Sequence, residues 1–213
     1  MSLRITIVLF FLLQFCHGQD IAVLKYGGGG DWYSNPSALE NLAAFCNKEL
    51  NTTLSPTPKI VAPNSIDIFE YPFLHMTGHG NVVFSEQDLE NLRAYLNSGG
   101  FLHIDDNYGM DQYVRGEISK LFPNQELKEL AVNHPIFSTA FKFPKGLPKI
   151  HEHDKARAQG FVIEKQGRIV LLYTFESDLG DGWEDKEMHN DPDQVRLMAL
   201  RMGANIIKYA FEH

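Results

Sequence analysis

Short apolar runs at residues 21–24, 73–77 and 101–104 punctuate the first half of the chain, and amphipathic stretches separate them. This alternation constrains the fold more than any other feature. Strands joined through helices pair in parallel, cross over right-handed and need cover on both faces. After the first run, Asn35 and Pro36 read as the cap and first turn of a helix reaching Leu50. Leu39, Leu42, Ala43, Cys46 and Leu50 share one face of it. Residues 59–62 form a further short strand. After the 73–77 run, Ser85 and Asp88 make a capping pair, Leu89, Leu92, Tyr95 and Leu96 make an apolar stripe, and Gly99 closes the helix. The expectation is an α/β fold: a flavodoxin-like parallel sheet flanked by helices.

The second half is less regular. Residues 109–122 read as a helix, and 161–164 with 169–174 as a hairpin about Lys165, Gln166 and Gly167. A closing helix starts at Asp191-Pro192, with Val195, Met198, Met202 and Ile206 facing inward. No repeat or boundary divides the chain, so residues 19–213 are expected to form a single domain.

The first eighteen residues are a different kind of segment. Arg4 is their one charge, residues 5–15 are almost wholly apolar, and Cys16, His17 and Gly18 precede a polar chain. That order marks a secretory signal cut after Gly18. Acylation at Cys16 is the lipid-anchored alternative. The expected location is outside the cytoplasm: the periplasm, with full secretion or a lipid anchor as alternatives. Cleavage leaves Cys46 alone, so the fold holds without a disulfide, and Cys46 is expected to be a buried thiol. Hydrophobic residues make up 44% of the chain, which excludes disorder. The net charge of −8 argues against a nucleic-acid partner. No later stretch approaches the ~20 apolar residues of a membrane span.

Ligands of open parallel sheets bind beyond the carboxyl ends of the strands. There the first strand meets Gly27–Gly30, with Gly28 and Gly29 at the centre, then Asp31, Trp32 and Tyr33. The third carries His75 and ends at His79, and the fourth carries His103 and ends in Asp105, Asp106 and Asn107. The matching segments Phe73-Leu74-His75 and Phe101-Leu102-His103 set the two histidines side by side if the strands are parallel. His151-Glu152-His153-Asp154 and the acidic, Gly-rich run 178–185 with Trp183 bring further polar groups. Adjacent acids and a Gly-flanked histidine suit acid–base work. Three histidines, His103, His151 and His153, suit a divalent metal ion. Each cluster also has a plainer reading: core histidines, helix caps and solvated loops. No P-loop, His-Glu-x-x-His or Gly-x-Ser-x-Gly pattern occurs.

Several segments taken together resemble a known family. They are Lys25-Tyr26-Gly27-Gly28-Gly29-Gly30-Asp31-Trp32-Tyr33, His75-Met76-Thr77-Gly78-His79-Gly80, Gly99 to Asp111, Pro148 to His153, and Asp178 to Pro192. They resemble a bacterial family termed domain of unknown function 4159. The resemblance implies kinship with the class I glutamine amidotransferase-like fold, which includes trehalose-utilisation-like proteins. It carries no activity across, because the turn that holds a cysteine nucleophile in amidotransferases corresponds to Gly78-His79-Gly80 here.

Two functions are therefore expected as alternatives. One is an exported, metal-assisted hydrolase of a small or carbohydrate-like substrate. In it His79, Asp105 and Asp106 are catalytic, His103, His151 and His153 hold the metal, and Gly28, Gly29, Asp31, Trp32, Asn107 and Trp183 bind the ligand. The other is a non-catalytic module of the cell envelope that binds a glycan, small molecule or partner.

Overall fold

A computed structural model describes residues 20–213. The signal-peptide and acylation expectations fall on residues 1–18 and lie outside the described residues. Strands β1 (Ile21–Leu24), β2 (Lys59–Val61), β3 (Phe73–Gly78), β4 (Phe101–Asp106), β5 (Lys128–Glu129), β6 (Gln159–Lys165) and β7 (Arg168–Phe175) form one sheet in the order β2-β1-β3-β4-β7-β6-β5. The first five in that order pair in parallel. The order 2-1-3-4 followed by a fifth parallel strand is that of the flavodoxin-like class, so the α/β expectation holds. Strands β6 and β5 add an antiparallel edge. The hairpin turn consists of Gln166 and Gly167, both at positive φ (53° and 81°), the geometry that matches strand twist.

Helices α1 (Ala38–Leu50) and α6 (Asp193–Glu212) cover one face, and α2 (Glu86–Asn97) and α3 (Asp111–Leu121) the other. Two short helices, α4 (Leu179–Trp183) and α5 (Lys186–His189), lie between β7 and α6. Ser85 and Asp88 form the expected reciprocal cap on α2. Asn35 does not cap α1. That helix begins at Ala38, preceded by Ser37, and the Asn35 side chain is drawn into the site described below. Cys46 is buried in the core, and burial raises its thiol to about 12, so it is no nucleophile at neutral pH.

Parallel register builds rows of side chains across the sheet. Ile60, Val23, His75, His103 and Leu172 form one row on the α1/α6 face. Two residues on, Thr77, Asp105 and Thr174 form the next. Above these rows sits Trp183, fully buried, its indole donating to the Ala199 carbonyl at 2.9 Å. Gly182 and Gly203 make room: a Cβ on Gly203 would lie 2.6 Å from Leu42 and 2.9 Å from the indole. No helix of the described residues is long and apolar enough to cross a membrane.

Two helical glycines should therefore respond in opposite directions. Gly203→Ala overpacks the α1–α4–α6 contact and is expected to destabilise by about 1–3 kcal/mol. Gly116→Ala on α3, where a Cβ meets nothing within 4 Å, is expected to stabilise by about 0.5–1 kcal/mol. Denaturant unfolding of both variants checks the signs. A Gly203→Ala protein as stable as the parent would contradict the packing described.

Candidate active site at the carboxyl edge of the sheet

Asn107, following β4, starts the network. Its amide donates to Asp181 Oδ1 at 3.0 Å and to Asn35 Oδ1, and its own oxygen accepts from Thr77 at 3.1 Å. Asn35 in turn donates to Asp181 Oδ1 at 2.7 Å. Two amides thus hold Asp181 in place from β4 and from the loop before α1.

Around Asp181 gather His151, from the loop before β6, and groups from residues 184–191. His151 reaches Asp181 Oδ2 through Nδ1 at 3.1 Å, and its Nε2 lies 3.1 Å from both oxygens of Asp191. His189 lies 3.0 Å from Glu184 Oε2 and 3.8 Å from Asp181 Oδ1. One donor atom each from His151, Asp181 and His189 falls within 4.8 Å of the others, a group able to hold a metal ion. His153 stands beside this group rather than in it. Its Nε2 is 2.5 Å from Asp178 Oδ2, and its ring stacks on Tyr108 at 4.4 Å.

Several carboxylates of the cluster are buried: Asp105, Asp178, Glu176, Glu184 and Asp191. Lys149 neutralises Glu176 at 2.6 Å. Asp178 Oδ1 has no hydrogen-bond partner among the described residues. Glu176 and Asp178 both adopt the left-handed conformation (φ 57° and 55°), a strain that concentrates at functional sites. Desolvation raises Asp178 to about 6. Desolvation also raises Asp105, to about 8, against hydrogen bonds from Thr174 and from the Gly180 N–H at 2.6 Å. At Asp181 burial pushes upward, but hydrogen bonds from His151 and Asn35 leave the carboxyl lower than usual. The Asp181 hydrogen bond, opposed by desolvation, raises His151 to about 9.

The structure separates the residues singled out in the sequence into four sets. His151 belongs to the metal-capable group, and Asn107 positions it. His103 does not belong: it is fully buried, with Nδ1 3.1 Å from His75 Nδ1 and Nε2 3.1 Å from Thr174 Oγ1, so both ring nitrogens are committed within the core. Asp105 and Asp106 are buried and structural in their contacts. Asp106 accepts from the Met110 N–H at 2.9 Å and from Tyr173 at 3.2 Å, holding the start of α3. Trp183 offers no face to a ligand, because its indole is enclosed in the core.

His79 and Asp31 form their own exposed pair at 2.9 Å, with no direct hydrogen bond to the His151 group among the described residues. Gly28 and Gly29 have positive φ (102° and 89°), and the loop pairs with the next segment through Gly27 and Val83. A Cβ on Gly28 would lie 2.7 Å from the Val83 nitrogen, so close backbone approach explains that glycine. Trp32 lines a separate cavity with Tyr33 and Asn35.

Asp181, His189, Asn35 and Asp178 were not singled out in the sequence as the site. For Asp178, Asp181 and His189 the one visible signal is position: 178–191 is an acidic, histidine-bearing segment immediately after a core strand; Asn35 gives none.

Fold and site together define a doubly wound α/β protein with a histidine–carboxylate cluster at the carboxyl ends of its strands. The chain belongs to the family described as domain of unknown function (DUF4159), whose model matches residues 20–211. No curated protein sequence matches it.

The pH dependence of stability follows from these groups. His151, with a folded value near 9 against 6.5, stabilises fully below pH 6.5 and ceases to as pH passes 9. Asp105, with a folded value near 8 against 3.8, favours the folded state most when protonated and withdraws that support as pH climbs to 8. Both signs agree. The chelator-treated protein is expected to melt lower at pH 9 than at pH 6.5, and Asp105→Asn to flatten the slope below pH 8 only. A melting temperature that rises across this range would contradict the assignment.

Proposed function

We propose that this protein is an exported hydrolase that works with a divalent, zinc-type metal ion held by His151, Asp181 and His189. The observation that carries the reading is the convergence of those three donors within 4.8 Å, His151 from one loop and Asp181 and His189 from the short helices after β7. Two histidines and one carboxylate leave a fourth position of a tetrahedral ion for water or substrate. Asp191 on the far nitrogen of His151 is the outer carboxylate that fixes ring orientation at such centres. Binding the ion displaces the His151 proton, so affinity rises with pH.

Asp178, buried, with one oxygen unpartnered and a value near 6, suits the general base. The charge order of residues 1–18 supports export. The strand order and the Gly78-His79-Gly80 turn support kinship with the class I glutamine amidotransferase-like fold without its thiol chemistry. The substrate is proposed to be a small molecule. A second reading has its own observation: each ring nitrogen of His151 already faces a carboxylate, as in a metal-free ion network of a binding module.

Elemental analysis of tag-free protein purified without chelator separates the two. The proposal expects close to one transition-metal ion per chain, lost in His189→Ala and Asp181→Asn. Asp191→Asn is expected to weaken binding by about 10–100-fold. Hydrolysis of a p-nitrophenyl ester or phosphate should vanish with the metal and fall in Asp178→Asn. A metal-free wild type that gains no thermal stability from added zinc would transfer the case to the binding module.

A further inference from the structure

A cavity of about 220 Å³ opens on the α1 side of the sheet, beside β1 and β2. Trp32, Tyr33, Pro36, Leu39 and Ile60 give it apolar walls, and His75 and Thr77 form its floor. His75 is 1% exposed, and its Nε2 has no hydrogen-bond partner among the described residues. The opposite edge of the ring shows where that nitrogen points. Nδ1 turns toward His103 on β4 at 3.1 Å, so Nε2 lies on the side of the ring away from β4, the side of its row neighbours Val23 and Ile60 on β1 and β2. Those residues line the cavity. A buried, unpartnered ring nitrogen in a native core calls for an occupant, because leaving it unsatisfied costs about 1–3 kcal/mol.

The chemistry of the occupant follows from what surrounds the nitrogen. His75, His103, Thr174 and Asp105 form one hydrogen-bond chain. The chain can run in either direction. When Thr174 donates to Asp105, His103 Nε2–H donates to Thr174, His75 Nδ1–H donates to His103, and His75 Nε2 is a bare acceptor. When Asp105 donates to Thr174, every bond reverses and His75 Nε2 carries a hydrogen. A hydroxyl group serves both directions, as donor in the first and acceptor in the second. A carbonyl or an ammonium serves only one.

Charge favours a neutral occupant. Glu40 on the lining opposes an anion, and the Lys25 ammonium, 5.1 Å from the Trp32 ring centroid, offsets the attraction Glu40 would give a cation. Size completes the description, since the volume lies below the ~300–1,000 Å³ of pockets for drug-sized ligands.

We propose that this cavity is a binding site for a neutral, single-ring compound whose hydroxyl group hydrogen-bonds to His75 Nε2, with its ring packed between Trp32 and Ile60. The site stands apart from the metal reading. Of the cavity's lining residues, Asn35 and Thr77 also belong to the network behind Asp181, but none is one of the three metal donors, so either reading can fail alone.

Phenol and toluene are the probes, being alike in shape and differing in the hydroxyl. Toluene is the more apolar, so a merely greasy cavity prefers it. The expected result is phenol binding at least about tenfold tighter than toluene by calorimetric titration, the equivalent of about 1.4 kcal/mol. Nitrogen-15 NMR of the histidine rings should show the His75 Nε2 resonance moving on phenol addition and remaining in place with toluene. Ile60→Trp, which fills the cavity from an exposed position, should abolish binding while the melting temperature holds. His75→Leu, if it folds, should bind the two probes equally. Toluene binding as tightly as phenol, phenol binding unaffected by Ile60→Trp, or a His75 resonance that ignores phenol would each overturn the proposal.

Discussion

Everything at the carboxyl edge of this protein depends on the parallel pairing of β3 with β4. Its register sets His75 against His103, Thr77 against Asp105 and Gly78 against Asp106. A slip of β4 by one residue would turn His103 and Asp105 to the opposite face, where Leu74, Met76, Leu102 and Ile104 now pack under α2 and α3. Because both faces are covered, that slip would bury His103 and Asp105 without their partners under α2 and α3 and set Leu102 and Ile104 against the polar row on the other face. The register is therefore held by the hydrophobic effect, and the polar rows inherit their precision from it.

The remaining geometry builds on those rows. Asp105 receives the Gly180 N–H and so anchors α4 over the end of β4. Asn107, next but one along, pins Asp181 on the same short helix with the help of Asn35. Trp183, on the following turn, locks α4 into the core against both histidines, with ring centroids 5.2 and 5.7 Å away. A segment rich in aspartate and glycine has little intrinsic helix propensity. Here tertiary contacts supply what propensity lacks, and the helix they stabilise presents Asp181 toward His151 and His189.

The sequence reading succeeded where periodicity and register carry information. The core strands, the capped helix α2, the hairpin and the adjacency of His75 and His103 were legible in apolar spacing and in the repeated Phe-Leu-His. It was less successful where a residue's role depends on distant partners. Asn35 looked like a helix cap because capping is a local rule, yet its partner Asp181 lies 146 residues away. Trp183 in a Gly-rich acidic run read as a ligand-stacking aromatic, yet it is fully buried in the core. Its glycine neighbour Gly182 serves close packing, since a Cβ there would meet Ala199 at 2.4 Å. His103 and Asp105 were rightly placed near the strand ends, but burial commits them to the core, while His151 gains Asp181 and His189 only through the fold.

As proposed, His151, Asp181 and His189 form a metal centre rather than a closed ion network. Anomalous diffraction at the zinc edge, from crystals of tag-free protein equilibrated with zinc, addresses it directly. A metal centre there predicts a single strong peak within bonding distance of all three side chains, with Asp191 still on the far nitrogen of His151. A peak elsewhere, or none while His151 keeps its contacts to Asp181 and Asp191, would contradict it.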